Sequence, residues 1–160
     1  MDEVFGLTND SLGNVFVGGA SESTGAGLST TGALYTSGFG TRGGMMGKLD
    51  SLGHLRWGSY YPGKVTSLAL GPDNRVYFGG VTDYTTGIAT SNAYQSQYTY
   101  PQYTTNSIVY NGFIGEMDLD GKRLYGSYFG DGSIVSSTFV NYNYGQWLVS
   151  YTIDSPGITL

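Results

Sequence analysis

LGNVFVGGAS, residues 12–21, is the stretch that decides the fold, because it returns 61 positions later as DNRVYFGGVT, residues 73–82. A second matched pair, GKLD at 47–50 and GEMD at 115–118, is separated by 68 positions. The second copy therefore has about seven extra residues, which we assign to the Tyr- and Thr-rich residues 98–106. Insertions confined to one connection are typical of repeat proteins. The sequence thus predicts an internally repeated unit of a little over sixty residues.

Each unit contains four short segments rich in β-branched and aromatic residues, which predict β-strands. In the second unit these segments are residues 65–70, 75–82, 112–118 and 123–129, with Gly, Pro, Asp and Asn in the turns between them. The 27 glycines of the chain disfavour long helices. We therefore expect an all-β fold of four-stranded antiparallel blades like those of a β-propeller. A β-sandwich is the alternative, although it would not require the same sequence twice.

The repeat divides the chain into two full blades and part of a third. Residues 1–62 form the first blade, 63–132 the second with a Tyr-rich insertion at 95–111, and 133–160 the first half of a third. Residues 135–140 match the second copy at an offset of 70. Two and a half blades leave sheet faces and edges uncovered, so the propeller is predicted to be incomplete. The missing blades are expected from the rest of a longer polypeptide or from other copies of this chain.

Composition and charge limit the functions that the chain can have. It has no cysteine, which excludes disulfides, thiolate catalysis and Cys-ligated metals. Its 12 acidic and 7 basic residues give a net charge of −5, so a nucleic-acid partner is not expected. Polar residues interrupt the uncharged stretch 133–153, and no membrane span is predicted. The acidic start Met1-Asp2-Glu3 is unlike a signal peptide, and with the repeat it favours a piece of a longer chain.

Four stretches of the chain carry a family resemblance: GNVFVGG at 13–19, STTGALY at 29–35, GKLDSLGHLRWGSYY at 47–61 and GIATSNAYQ at 87–95. They resemble the SBBP repeat, a family of seven-bladed β-propeller repeats. The resemblance extends across most of residues 4–130 and weakens after them.

The resemblance implies an extracellular or cell-surface bacterial protein, of the kind common in Bacteroidetes, with a structural, adhesive or glycan-binding role. The sequence departs from the family where Thr31-Gly32 and Ser91-Asn92 replace its Pro-Gly. Our main expectation is a non-enzymatic structural or adhesive propeller segment. A carbohydrate-binding module and a self-assembling subunit of a surface polymer are the alternatives, with glycans, surface proteins or copies of the chain as partners.

No group of residues predicts catalysis. The single histidine, His54, lies at the start of a predicted strand, and no Gly-x-Ser-x-Gly motif surrounds any serine. Five acidic residues lie in the repeated turns, where Asp is expected to hydrogen-bond its own backbone: Asp10, Asp50, Asp73, Asp118 and Asp120. We therefore expect no enzymatic activity and no catalytic residues.

No cofactor is expected, and calcium is the one candidate. Asp118 and Asp120 resemble the opening of a calcium loop, with oxygen ligands at alternate positions. The further ligands of such a loop are missing, because Lys122-Arg123 follow instead. A hairpin turn with Gly121 at the positive-φ position explains the same residues.

The residues most suited to contact a ligand are tyrosines of the uncharged stretch 87–115. Among them we single out Tyr98, Tyr100 and Tyr103, since exposed tyrosine offers a flat apolar face and a hydroxyl group for contact with sugars or proteins. The competing interpretation is that these tyrosines pack onto the outer strands or between blades. Both tryptophans, Trp57 and Trp147, are predicted to lie in the core.

Two turns contain a pattern that resembles Bacteroidetes O-glycosylation sites. The pattern is Asp, then Ser or Thr, then an aliphatic residue, and it places Ser11 and Ser51 as acceptors. A glycan attached to a turn would not disturb a core. Ordinary turn chemistry is the competing explanation for both sites.

Overall fold

A computed structural model describes residues 1–99 and 110–130 with their side chains, and residues 135–137 and 151–153 by their backbone alone. These residues form strands and one single-turn 3-10 helix, Gly40–Arg42. The strands are β1 (Asp2–Asn9), β2 (Val15–Ser21), β3 (Gly43–Leu49), β4 (Leu55–Tyr61), β5 (Lys64–Leu70), β6 (Val76–Thr82), β7 (Asn111–Met117), β8 (Arg123–Phe129), β9 (Val135–Ser137) and β10 (Tyr151–Ile153).

The strands form two four-stranded antiparallel sheets in which each strand pairs with the next one along the chain. Sheet 1 has the order β1-β2-β3-β4 and sheet 2 the order β5-β6-β7-β8. The all-β prediction is confirmed, and the four strands predicted for the second unit lie within one residue of their observed bounds. β9 pairs with β10 in a separate antiparallel pair. The rest of the predicted third unit lies outside the described residues.

The two sheets repeat each other in strand bounds and in irregularities. β6 follows β2 by 61 positions, and β7 and β8 follow β3 and β4 by 68 positions. These are the two offsets found in the sequence. The β1–β2 ladder has a bulge at Phe5, and the β5–β6 ladder has its bulge at the equivalent position, Thr66. Arg56 and Leu124 form a second matched pair of bulges, between the third and fourth strands. Since bulges re-aim side chains locally, their repetition shows that both copies fold as the same unit.

The hairpin turns require a residue in the left-handed conformation at equivalent positions. Gly13, Gly53 and Gly121 have φ between 79° and 84°, which confirms the positive-φ glycine predicted for the 118–121 turn. The equivalent of Gly13 in the second unit is Asn74, with φ of 57°. Asn is among the few other residues that adopt this conformation at low cost. The turn is therefore preserved although the glycine is not.

The connection after the second strand of sheet 1 is bound along the last strand of that sheet. The backbone N–H of Thr30 donates to the carbonyl of Gly58 at 3.1 Å, and the N–H of Tyr60 donates to the carbonyl of Tyr35 at 3.2 Å. We call the segment 28–35 the strap of sheet 1. It satisfies backbone groups of β4 that an edge strand would otherwise leave unpaired.

Sheet 2 has the same strap, at residues 88–95. The N–H of Thr90 donates to the carbonyl of Gly126 at 2.9 Å, and that of Tyr128 donates to Gln95 at 3.1 Å. Between the strap and the third strand, the second copy therefore has the long connection 96–110 where the first has only 36–42. The extra residues therefore lie after the strap, and most of the segment 98–106 to which the sequence analysis assigns them is outside the described residues.

Sheet 2 packs on one face of sheet 1 through its first strand, β5, which lies against β1, β2 and β3. The close approach is possible because β1 and β2 have glycines there: a Cβ on Gly18 would lie 2.7 Å from a methyl group of Val65, and one on Gly6 would lie 3.1 Å from Leu68. In the core between the sheets, Tyr61 contacts Phe78 edge to face, with ring centroids 5.3 Å apart.

Trp57 lies at the rim of this core, half-buried rather than fully enclosed. Its indole N–H donates to the carbonyl of Leu119 at 3.0 Å, and Lys48 donates to the same carbonyl at 3.2 Å. The turn between β7 and β8 is thus tied to the preceding sheet. Trp147 lies outside the described residues.

Candidate functional site

Tyr98, one of three tyrosines predicted to contact a ligand, is a packing residue. Its side chain is 8% exposed, and its ring meets that of Tyr128 edge to face with centroids 5.8 Å apart. The ring is therefore turned into the protein, and the prediction of a surface contact at Tyr98 is corrected. Tyr100 and Tyr103 lie outside the described residues, so their predicted role is untested.

Polar side chains fix the base of the Tyr-rich connection. The Asn111 side chain donates to the carbonyl of Thr99 at 3.0 Å and accepts from the Thr99 N–H at 3.3 Å. The Gln95 amide donates to the Thr99 hydroxyl at 2.7 Å and accepts from the N–H of Gly130 at 3.1 Å. These bonds hold Thr99 against sheet 2 and so position the buried ring of Tyr98 beside it.

Among the described residues of this region, Tyr94 is an exposed aromatic residue, near the end of the strap of sheet 2. Its side chain is 82% exposed, and its ring lies 6.4 Å from that of Phe129, centroid to centroid, tilted by 39°. The Tyr94 N–H donates to the hydroxyl of Tyr125 at 3.0 Å, which fixes the backbone beneath the ring. Sequence reasoning does not select Tyr94 as a ligand-contact residue, although its place in the stretch 87–95, which resembles the SBBP repeat, distinguishes it from Tyr98 in the insertion.

The acidic residues of the repeated turns bond the backbone of their own turns. An Asp10 carboxylate oxygen accepts from the N–H groups of Leu12 and Asn14, at 3.0 and 2.9 Å. Asp50 does the same with Leu52 and His54, both at 2.9 Å. The hydrogen bond from the Asn14 side chain, with those backbone bonds, lowers the pKa of Asp10. For Asp50, the bond from the His54 N–H is the main cause of a lowered pKa.

Ser11 and Ser51, the predicted O-glycosylation sites, are both exposed in these turns. The two turns lie side by side at one end of sheet 1, since a Cβ on Gly13 would lie 3.3 Å from the Cβ of Ser51. Leu12 and Leu52, which follow the two serines, are among the most exposed apolar side chains described. Both serines are thus accessible, and their modification stays a prediction.

Asp118 uses its carboxylate as Asp10 and Asp50 do. One of its oxygens accepts from the N–H groups of Asp120 and Lys122, at 3.0 and 2.9 Å. Within residues 1–99 and 110–130, no three acidic or histidine side chains are grouped as metal ligands would be. The hairpin turn accounts for the geometry of Asp118, and calcium at Asp118 and Asp120 stays an untested prediction.

His54 is exposed, and its ring nitrogen Nδ1 lies 3.3 Å from a carboxylate oxygen of Asp50. Both residues belong to one tight turn, and this contact spans only four positions of the chain. The contact therefore stabilises the turn in the same way as the backbone bonds to Asp50.

A large opening among the described residues lies on the face of sheet 2 that points away from sheet 1. It is a groove of about 630 Å³ across β5, β6, β7 and β8, and we call it the open face of sheet 2. Its lining is mostly apolar or aromatic, with Ser67 and Glu116 as its polar side chains: Ser67, Leu68, Ala69, Tyr77, Phe78, Gly79, Ile114, Gly115, Glu116 and Tyr125. The sequence predicts uncovered faces for an incomplete propeller but does not by itself identify these residues.

No protein-family model matches the chain, and no curated protein matches its sequence. The resemblance to the SBBP repeat is therefore still a prediction made from the sequence. In the part of the chain that the structure describes, no helix has the length and apolar character needed to cross a membrane.

Proposed function

We propose that the chain is a non-enzymatic structural or adhesive segment of an extracellular bacterial surface protein, built from β-propeller blades. The observation that most supports this is the repetition of one four-stranded sheet with its bulges, turns and strap. Propellers consist of such sheets, each contributed by one repeat and stacked on the next. A repeated scaffold fits a module whose role is to extend, display or attach.

The way in which the two sheets meet supports the propeller arrangement. Sheets placed radially around an axis are closest at their first strands and diverge towards their last strands. β5, the first strand of sheet 2, is the strand that lies against sheet 1. Farther out, Tyr35 of the first strap donates its hydroxyl to the carbonyl of Gly87, directly before the second strap, at 2.7 Å. The straps therefore occupy the space that opens between diverging sheets.

The use of the polar side chains supports a role without catalysis. The turn carboxylates of Asp10, Asp50 and Asp118 already accept two backbone N–H groups each. General acid–base catalysis requires a titratable group directed at a substrate, and these groups are directed at their own turns.

A carbohydrate-binding module is the second candidate, and the exposed pair of Tyr94 and Phe129 favours it. Their rings together offer an apolar surface near the Tyr-rich connection, of the kind that stacks on sugar rings. A glycan array probed with the full chain and with Tyr94→Ala distinguishes the two candidates. Binding that Tyr94→Ala abolishes and Leu52→Ala preserves would establish the lectin role. Leu52 is the matched control, because it is equally exposed but lies in a distant turn.

The location of the protein on the cell tests the main proposal. Antibodies raised against the chain should label intact cells of the organism that encodes it, and external protease should remove the label. Labelling that appears only after the cells are permeabilised would contradict an extracellular role.

A further inference from the structure

We propose that the open face of sheet 2 is the docking site of the third repeat of this chain, with β9 lying across it as β5 lies across sheet 1. The proposal rests on the blade arrangement proposed above and deepens it, because it names the partner of one face.

The open face is the equivalent of the face of sheet 1 that sheet 2 covers. On sheet 1, the large inward side chains include Phe16, Met46 and Tyr61, all at most 2% exposed. Their equivalents on sheet 2, at the two offsets of the repeat, are Tyr77, Ile114 and Phe129, which are 42%, 45% and 60% exposed. Ala20 and Val81 form a fourth such pair, at 6% and 39%. One set of positions is thus apolar in both sheets but covered in only one.

The small residues that admit β5 are repeated on the open face. Val65 and Leu68 lie over Gly18 and Gly6 of sheet 1, where no larger side chain would fit without a shift. The equivalents of these glycines in the second copy are Gly79 and Ser67, and both line the groove. The open face therefore has the same shallow channel for a strand that sheet 1 has.

The third repeat is the segment that the chain itself delivers to this channel. In the first interface, the strand that docks is the one that directly follows the last strand of the sheet, after Pro62 and Gly63. Beyond β8, the next strand is β9, which begins after the short segment 130–134. Its residues Val135, Ser136 and Ser137 match Val65, Thr66 and Ser67 at an offset of 70, and it pairs antiparallel with the strand that follows, as β5 does.

A second copy of the chain is the competing occupant. The face of sheet 1 that points away from sheet 2 exposes Val4 and Leu7, at 54% and 66%, and these are the equivalents of Val65 and Leu68. Copies could therefore stack head to tail into rings or filaments. A tethered segment has the advantage, because a short linker gives it an effective concentration in the millimolar range.

Engineered disulfides separate these occupants, because the natural chain has no cysteine. In the first interface, a Cβ on Gly18 would lie 3.2 Å from the Cβ of Val65, close to the roughly 3.5–4.5 Å that a disulfide spans. The pair Gly18→Cys with Val65→Cys is therefore the positive control. The test pair is Gly79→Cys with Val135→Cys, and the pair for a second copy is Gly79→Cys with Val4→Cys.

After mild oxidation, thiol counting and mass spectrometry report which bonds have formed. We expect the test pair to lose both free thiols within a monomer, as the control pair does, and the second-copy pair to keep its thiols. Disulfide-linked dimers or oligomers from the second-copy pair would overturn the proposal, and so would free thiols in a folded test pair. Failure of the control pair would instead contradict the stacking of the two described sheets, and with it the blade arrangement.

A second pair of cysteines tests the same docking if the Gly79→Cys chain does not fold. Ser67→Cys with Thr138→Cys avoids the glycine substitution, and Thr138 is the equivalent of Leu68 at the offset of 70. Its control is Gly6→Cys with Leu68→Cys, since a Cβ on Gly6 would lie 3.1 Å from the side chain of Leu68. Loss of both thiols within the monomer supports the docking of β9, and retention of free thiols in the folded chain overturns it.

Discussion

Sheet 1 and sheet 2 are two copies of one folding unit, and they differ in what covers the same face. Their strand bounds, bulges, turns and straps all lie at equivalent positions of the repeat. The inward face of sheet 1 is filled by β5 and the aromatic side chains of sheet 2, whereas the corresponding face of sheet 2 is a groove. One sheet therefore forms all the strands, turns and strap of the unit, but its apolar face is covered only where a neighbouring sheet packs on it.

Matched truncations on the two faces should give the largest of the expected effects. Phe16→Ala removes a fully buried ring and should lower the free energy of unfolding by about 3–5 kcal/mol. Docking of the third repeat would bury Tyr77, the equivalent of Phe16, so Tyr77→Ala should cost a similar amount. Without docking, Tyr77 is 42% exposed, and the loss should be only about 1–2 kcal/mol. Chemical denaturation of both variants measures the two losses, and a small loss for Tyr77→Ala would contradict the docking.

Replacing the glycine that contacts each strap by alanine should destabilise both sheets equally. A Cβ on Gly58 would lie 2.4 Å from the carbonyl oxygen of Leu28, and one on Gly126 would lie 2.2 Å from that of Ile88. We therefore expect Gly58→Ala and Gly126→Ala each to cost about 1–3 kcal/mol in thermal or chemical unfolding.

The control for these two variants is Gly25→Ala, because a Cβ there meets no atom within 4 Å. It should change the free energy of unfolding by less than about 1 kcal/mol. If only one of the two strap variants is destabilised, the straps are not equivalent.

The hydroxyl groups of Tyr61 and Tyr128 should respond differently to removal. Tyr61 lies between the sheets, where burial raises its pKa against the opposing effect of the nearby Arg123 guanidinium, and no hydrogen bond of ordinary geometry joins its hydroxyl to the described residues. The hydroxyl of Tyr128 donates to the carbonyl of Tyr84 at 2.9 Å. Tyr61→Phe should therefore be neutral or stabilising, and Tyr128→Phe should cost about 1 kcal/mol. The reverse order in denaturation experiments would contradict this assignment of the hydrogen bonds.

The turn between β1 and β2, which contains Asp10, should lose stability in acid, and this is the smallest of the expected effects. The pKa of Asp10 is lowered in the folded protein, chiefly by the Asn14 side chain, so its charge stabilises the fold above the unfolded pKa of about 3.9. That stabilisation is lost as the pH falls through the lower, folded pKa.

The variant Asp10→Ala removes this contribution. It should be less stable than the natural chain at neutral pH, and the gap in unfolding free energy should narrow as the solution becomes acidic. Asp120→Ala makes the same change of charge at an exposed position and is the control for net charge. A constant gap for Asp10→Ala over the acid range would mean that the carboxylate does not hold the β1–β2 turn through its charge.

The strands and turns could be predicted because each is specified locally and then repeated. The alternation of apolar and polar residues, the glycines and the Asp-containing turns recur at fixed offsets. The strands assigned in one copy can therefore be checked against those of the other. The sequence leaves the burial of Tyr98 open, because packing and ligand contact are competing interpretations of the tyrosines in this stretch. Its outcome depends on Tyr128, which is distant in sequence, and on the strap that brings the two residues together.

The open face could be predicted only in outline. An incomplete set of blades implies uncovered surfaces, but which side of each strand points outward depends on the bulges at Phe5 and Thr66. A bulge shifts the alternation by one position, so a strict two-residue period assigns some side chains to the wrong face.

Nuclear Overhauser contacts between β5 and sheet 1 test most directly whether the two sheets are stacked repeats of one unit. The distances predict strong cross-peaks from the methyl groups of Val65 to the α-protons of Gly18, and from those of Leu68 to Gly6. Their presence together with the cross-strand contacts inside each sheet is the expected result. Intact cross-strand contacts without any contact between Val65 and Gly18 would show that the sheets form but do not stack, and would contradict the arrangement described.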